Sequence, residues 1–374
     1  MFMNTPRLTR NAHADRASVS KAGIPDPAFH PSLPGFATTP LRPAPKAAQR
    51  LGVRSVHVKD ESQRLGMPSF KILGASWATY RTVMAHLGQP VGAEPTLDRL
   101  REAVAASGSD LTLVAATDGN HGRAVARMAK LLHLGAIIIV PGGTVDSRID
   151  AITGEGAEVR IVNGGYDEAI AAGAALGDDK HVVISDTSWE GYTDTPGWVI
   201  DGYSTMLTEI VDEIEAGHIP EPTVVAVQMG VGAFAASVTR QLASRPARLL
   251  VGVEPTRADC IIRSAEAGRI TTIPEPQDSI MAGLNCGTPS IVAWEDVLAG
   301  YDVFVTVTDE DARDAMRLLH DDGIDAGESG AAGLAGLLAH AGSLSLGPQD
   351  DVLIFLTEGV TDPVAYRDII STSN

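Results

Sequence analysis

Of the six lysines in the chain, Lys71 stands where a reactive amine would. It follows the aromatic Phe70 in Ser69-Phe70-Lys71, after a Gly-Met-Pro turn, and leads into the helical stretch Ile72 to His86. A primary amine at such a junction can bond covalently to a carbonyl carbon or, once deprotonated, act as a base. Taken alone, a lysine near a helix start is ordinary. Lys59 ends a strand beside Asp60 and Glu61, where a surface ion pair is expected, and Lys130 sits in an amphipathic helix, where solvation is expected.

Three further junctions carry unusual residues. Gln228-Met229-Gly230-Val231-Gly232-Ala233-Phe234 is a glycine-rich turn between an apolar run and a helical stretch. Free backbone N–H groups at a helix N-terminus make an anion site, and glycines let a phosphate approach closely; a tight turn without a ligand accounts for it equally. Thr117-Asp118-Gly119-Asn120-His121-Gly122 also follows a strand and precedes a helix. Its amides could cradle a carboxylate, although Asp-Gly-Asn is ordinary turn chemistry. Thr357-Glu358-Gly359 ends the last apolar run, where a hydroxyl could equally cap a helix. Together, an amine, a phosphate nest, a carboxylate nest and a strand-end hydroxyl are the parts that a pyridoxal-phosphate (PLP) site needs.

The elements that must position these residues read as α/β. Apolar, β-branched runs recur at 53–58, 111–116, 136–140, 158–162, 181–185, 224–228, 249–253, 303–307 and 352–356. Most are continuous, as in strands buried on both faces. Between them lie helical stretches such as 122–134, 233–244, 310–320 and 330–339. This alternation predicts parallel βαβ units, whose ligands sit at the carboxyl ends of strands. Residues before Phe29 are polar and irregular, predicting a loosely held N-terminal arm.

Composition narrows the function classes. A net charge of -18 argues against a nucleic-acid backbone as partner. No apolar run of membrane length and no apolar stretch behind the N-terminal arginines is present, so neither a span nor a secretory signal is expected and the expected location is the cytoplasm. The ten histidines and two cysteines show no metal-ligand spacing, and neither a Walker A nor a strand-linked G-x-G-x-x-G motif occurs. Cys260 and Cys286 read as buried apolar thiols.

On the four junctions, the chain resembles the fold-type-II PLP enzymes, the group of threonine dehydratase, cysteine synthase and tryptophan synthase β. Further stretches narrow the resemblance to the diaminopropionate ammonia-lyase family: Asp118 to Arg123, Asp186-Thr187-Ser188-Trp189-Glu190-Gly191-Tyr192, Val253-Glu254-Pro255 with Ala258-Asp259-Cys260, Met281 to Leu284 with Cys286-Gly287, Gly327-Glu328-Ser329-Gly330-Ala331, and Thr357-Glu358-Gly359 with Thr361-Asp362. The similarity spans about Phe29 to Arg367. Dehydratases carry Ser where this chain has Asp118, and lack the Asp186 to Tyr192 stretch. Val360 departs from the family pattern, which has Asp.

The expected fold is a two-domain α/β, fold-type-II arrangement, each domain a mainly parallel sheet flanked by helices. It comprises an arm (1–28), a large PLP-binding domain (29–75 and 194–374) and a small domain (76–193), with function in the cleft between the domains. The resemblance implies that Lys71 holds PLP, with Phe70, Asn120, Gly230, Val231, Gly232, Ala233, Phe234, Glu328 and Thr357 as further cofactor contacts. It places Thr117, Asp118, Gly119, His121, Asp186 and Tyr192 at the substrate, with Lys71, Asp118 and Asp186 catalytic. The implied reaction is α,β-elimination of 2,3-diaminopropionate to pyruvate and ammonia. The residue matching Asp118 serves as base for the D-isomer, and that matching Lys71 for the L-isomer. A homodimer, a small amino-acid substrate and no metal are implied, and Cys260 and Cys286 are expected to lie close together and to be able to pair near the site entrance. On its residues alone, Asp186 reads as an N-cap before the segment containing Trp189. The alternatives are a PLP dehydratase of serine, threonine or 3-hydroxyaspartate, and a catalytically silent PLP-fold scaffold.

Overall fold

The structure is a computed structural model that describes residues 5–92, 94–117 and 119–372, so Asp118 lies outside the described residues. Eleven strands are present among them: β1 Leu8–Arg10, β2 Leu41–Pro43, β3 Ser55–Asp60, β4 Thr112–Ala116, β5 Gly135–Val140, β6 Glu158–Ile161, β7 His181–Val183, β8 Val224–Gln228, β9 Leu249–Pro255, β10 Val303–Val307 and β11 Asp351–Leu356. They form two sheets, one in each of two compact units.

The first unit takes residues up to Ala22, Thr38–Gln63 and residues from Met206 onward. Its sheet has the order β1-β10-β9-β8-β11-β3-β2, parallel except at the two edges, where β1 and β2 run antiparallel to their neighbours. Every residue of β8, β9, β10 and β11 is buried, which is why these strands are continuous apolar runs. One face packs Val224, Val251, Val305 and Ile354 against Ala331, Leu334 and Ala335 of the helix Glu328–Leu344. Each fully buried aliphatic side chain there contributes about 1.5–3 kcal/mol.

The second unit takes Gly23–Ala37 and Arg64–Thr205. Its sheet, β6-β5-β4-β7, is parallel throughout. Val114, Ile137 and Ile139 pack against Ala169 of the helix Tyr166–Ala174. Strand alternation sends Ile138 to the opposite face, where the helix Asn120–Leu132 lies so close that a Cβ on Gly122 would stand 2.5 Å from the Ile138 Cγ2.

The helix Lys71–His86 clusters with this four-stranded unit, which begins before residue 76 and ends beyond 193. It crosses the helix Asp194–Glu215 at two glycines: a Cβ on Gly202 would meet the Leu73 carbonyl at 2.5 Å, and one on Gly74 would meet the Tyr203 ring at 2.5 Å. Backbones can approach this closely only without side chains, and the crossing sets Tyr203 beside the start of the Lys71 helix.

Two expectations are corrected. The N-terminal arm is not loose: β1 extends the larger sheet along β10, Arg7 donates to Asp259 (2.6 Å) and Glu266 (2.9 Å), and Asn11 donates to the carbonyls of Leu298 and Tyr301. Paired backbone and charge-assisted bonds compensate for the missing apolar pattern. Lys59 is not at the surface. Its ammonium is fully buried, donating to the Thr39 carbonyl (2.7 Å) and to Glu209 Oε2 (2.6 Å), a counter-ion 150 positions along the chain. Lys130 is exposed, as expected.

Candidate active site

In the second unit, the residues that follow three parallel strands converge on one amine. Lys71 is the first residue of its helix, and its Nζ donates to Asp186 Oδ2 at 2.7 Å. Asp186 follows the end of β7 by three positions and is buried. Its other oxygen, Oδ1, accepts from the hydroxyl of Tyr166 at 3.2 Å; Tyr166 starts the helix after β6. His121, in the first turn of the helix after β4, brings its Nδ1 to 3.9 Å from Asp186 Oδ2. The buried phenol of Tyr203 completes the set, its ring 4.5 Å from that of Phe70.

The electrostatics of this cluster are decided by burial against the Lys71 charge. Burial alone would raise the Asp186 pKa. The Lys71 ammonium, His121 and the hydrogen bonds from Lys71 and Tyr166 outweigh it and hold the carboxyl well below the usual carboxylate range. Asp186 is therefore an anion despite being 4% exposed. Burial lowers the pKa of His121, Lys71 lowers it further, and Asp186 and the bond to Ile184 oppose them without prevailing. Burial pushes the Tyr203 phenol far above its ordinary range, against the pull of Lys71, so it stays a neutral hydroxyl.

Around this cluster the loops are braced locally. The Thr117 hydroxyl accepts from the amide of Gly119, whose φ of 153° suits glycine, and Asn120 begins the helix whose first-turn amides lack intrahelical partners. The Tyr192 hydroxyl donates to the Val183 carbonyl (2.8 Å) and accepts from the Ser185 amide (3.2 Å), while its ring stacks on Trp189. Tyr192 therefore fixes the strand end that carries Asp186, and burial pushes its own pKa up to about 12. The N-cap reading of Asp186 does not hold: no helix starts at Trp189 among the described residues, and the carboxylate is bonded to Lys71 and Tyr166.

In the first unit, the glycine turn joins β8 to the helix Ala233–Leu242. Gly232 has φ +95°, and a Cβ on Gly230 would stand 3.1 Å from both Cys286 Sγ and the Gly283 carbonyl. The turn is thus a bare-backbone cradle at a helix N-terminus, with no cationic side chain from Gly230 to Phe234. On the neighbouring strand end, the Gln228 amide donates to the Phe355 carbonyl and the Thr357 hydroxyl, both at 2.8 Å. Glu328 opens its helix, Gly330 lets that helix rest on the Glu358 backbone and Gly327 lets it approach the Gly359 carbonyl, with Gly327 N donating to Glu358 O at 3.0 Å.

Cys260 and Cys286 are both buried and both flank Gly230, Cys260 Sγ standing 3.9 Å from its carbonyl. The helix Cys260–Ala267 is tied to β9 by Glu254, whose oxygens accept from the amides of Ile261 and Ile262 at 2.8 Å. Burial pushes the Glu254 carboxyl up to about 8, against those two amides. No group of three or more metal-ligating side chains and no helix long and apolar enough to cross a membrane occurs among the described residues.

Sequence reasoning named Lys71, His121 and Asp186 and missed Tyr166 and Tyr203. Tyr166 carried a signal, since it follows β6 through Gly164-Gly165 and the strand-end rule applies there too. Tyr203 lies inside a long helix and carried none.

Residues 33–358 match the family model described as pyridoxal-phosphate dependent enzyme. The diaminopropionate ammonia-lyase of Salmonella typhimurium is 34% identical over 92% of this chain and 90% of its own length, and that of Escherichia coli K12 is 35% identical over 91% and 89%. The crystal structure of the Escherichia coli diaminopropionate ammonia-lyase in complex with D-serine covers 98% of this chain and 97% of its own, with 31% identity and a TM-score of 0.88.

Proposed function

The chain belongs to the pyridoxal-phosphate dependent enzyme family, and we propose that it catalyses the α,β-elimination of 2,3-diaminopropionate, which with one water gives pyruvate and two ammonia. The observation that carries this reading is Asp186, a buried carboxylate kept ionised beside the Lys71 amine. A substrate with a second ammonium finds its counter-charge there, whereas a hydroxy amino acid has no use for one. The diaminopropionate ammonia-lyases named above support the same substrate.

The residues fit the cofactor. Lys71 would hold its carbonyl carbon, the amides of Gly230 to Phe234 its phosphate, and the Thr357 hydroxyl, which already accepts from Gln228, its ring nitrogen through its own proton. When bound, the cofactor supplies an electron sink for the pair released as the Cα–H bond breaks. Asn120, Phe234 and Glu328 are further contacts of that group in this reading.

The chain's own groups do the rest. The first-turn amides of the helix Asn120–Leu132 and the Thr117 loop would orient the substrate carboxylate. The Lys71 amine would take the Cα proton from one face, and Asp118 would serve the other. Asp118→Asn should therefore slow the D-isomer about 10²–10⁴-fold, the usual cost of a lost general base, and leave the L-isomer nearly unaffected; equal loss on both isomers would remove that role. Asp186 holds the β-ammonium, and Tyr166 fixes the carboxylate's rotamer through Oδ1.

The deciding experiment is steady-state pyruvate release from both isomers of diaminopropionate, beside 2-oxo acid release from serine and threonine. The expected result is a kcat/KM for diaminopropionate at least about 10²-fold above the others, the scale set by an unmatched buried charge. A preference for a hydroxy amino acid would overturn the reading. A cytoplasmic homodimer accompanies this proposal, with sedimentation of the holoenzyme as the test of its assembly.

A further inference from the structure

His121 has a tautomer fixed by its surroundings. Its Nε2 stands 2.8 Å from the Ile184 carbonyl, which can only accept, so the ring proton sits on Nε2. Nδ1 then carries a bare lone pair. It is buried, in a side chain 2% exposed, and has no hydrogen-bond partner among the described residues. It faces Asp186 Oδ2 at 3.9 Å, so two acceptors confront each other across a gap with no proton between them. A single donor placed between them could bond to both.

The structure also indicates which donor. Oδ2 is held at 2.7 Å by Lys71 Nζ, an alkyl ammonium. Once the Lys71 amine is committed to the cofactor, Oδ2 loses that cation, and the group of the same chemistry that a diamino acid brings is its own β-ammonium.

Resting on the elimination reading above, we infer that the β-ammonium of the substrate is seated between Asp186 Oδ2 and His121 Nδ1, and that the His121 lone pair is a determinant of selectivity for an ammonium over a hydroxyl leaving group. The chemistry balances. The Cα–H electrons form the new double bond, the proton passes to the base, and the Cβ–N pair departs on nitrogen, so a β-ammonium leaves as neutral ammonia without a further proton. A β-hydroxyl would need one, and neither a lone pair nor a carboxylate has one to give. Because the nitrogen is cationic before the bond breaks and neutral after, the two acceptors act on binding more than on the bond-breaking step.

The test uses two amides that divide the imidazole's functions. His121→Gln places an amide N–H near the Nε2 position and keeps the donor to Ile184 while losing the acceptor. His121→Asn places an amide oxygen near the Nδ1 position and keeps the acceptor while losing the donor. In the holoenzyme, His121→Gln should raise KM for diaminopropionate about 10- to 100-fold, the size of one lost hydrogen bond to a charged group, with kcat within about 3-fold. The inhibition constant of serine as a competitor should stay within about 3-fold, and His121→Asn should recover most of the KM. The opposite order, Asn impaired and Gln tolerated, would make His121 a brace for Ile184 and overturn the inference, as would equal losses for diaminopropionate and serine. If the wild-type enzyme itself prefers serine or threonine, the elimination reading fails first and this inference with it.

Discussion

Lys71 and Asp186, 115 positions apart in the chain, form a single ion pair of 2.7 Å in which the amine is one-fifth exposed and the carboxylate is enclosed. Under the proposed function the open member is the nucleophile and the closed member its counter-charge. Removing Lys71 therefore does two things at once. Lys71→Ala should abolish turnover and the near-visible absorbance of bound cofactor, and should also destabilise the cofactor-free protein by roughly 1–3 kcal/mol, because Asp186 is left as a buried, uncompensated anion. Lys71→Ala combined with Asp186→Asn should regain part of that stability but none of the activity. Thermal melts of the cofactor-free variants check the first effect; a double variant no more stable than the single one contradicts it.

Under the proposed function Tyr166 acts on the substrate through its bond to Asp186 Oδ1. Tyr166→Phe should raise KM for diaminopropionate about 10-fold, as one hydrogen bond to a charged acceptor is lost, while cofactor absorbance at Lys71 is unchanged. Kinetics beside an absorbance scan of the same preparation read both, and loss of cofactor would instead place Tyr166 at the cofactor.

Gly232 adopts φ +95°, which a side chain tolerates poorly. Gly232→Ala should cost more than about 1 kcal/mol of stability and weaken cofactor retention, because strain at this position moves the amides proposed to hold the phosphate. Equilibrium dialysis of the cofactor, with melts before and after reloading, separates the two. An unchanged dissociation constant would remove the turn from the phosphate site.

Glu254 gives the fold a pH dependence of definite sign. Its folded pKa, about 8, lies above the ordinary 4.5, so its stabilising contribution is fully present below about pH 4.5 and is lost as pH rises through 8. The stability difference between wild type and Glu254→Gln should fall steadily between pH 5 and pH 8.5. Melting temperatures of both proteins across that range check the sign, and a difference that stays flat from pH 5 to 8.5 would mean the two backbone amides keep the carboxyl ionised.

Why some of this was legible and some not is a matter of where the determining partner lies. The nine strand runs read from the sequence lie within about two residues of strands in the structure, most clearly β8 to β11, where burial on both faces leaves a continuous apolar run, a local signal. The two edge strands, Leu8–Arg10 and Leu41–Pro43, are three residues each and half-covered, so no pattern announces them. Lys59 looked like a surface residue because its neighbours Asp60 and Glu61 are charged, yet its counter-ion is Glu209, invisible at a separation of 150. The same holds for Asp186. Its type and place after a strand were legible, whereas its pairing with Lys71 and Tyr166 depends on three chain segments meeting.

The pairing of β1 with β10 sets an order of assembly. Arg7 and Thr306 exchange hydrogen bonds across 299 positions, so Leu8–Arg10 finds its partner only after about 300 further residues have been made. At about 5–20 residues per second, translation leaves Leu8–Arg10 unpaired for roughly 15–60 s. During that interval the segment is an unmatched β-forming stretch on a growing chain, and charges such as those of Arg7 and Arg10, which flank and end it, disfavour edge-to-edge pairing with a neighbouring nascent chain.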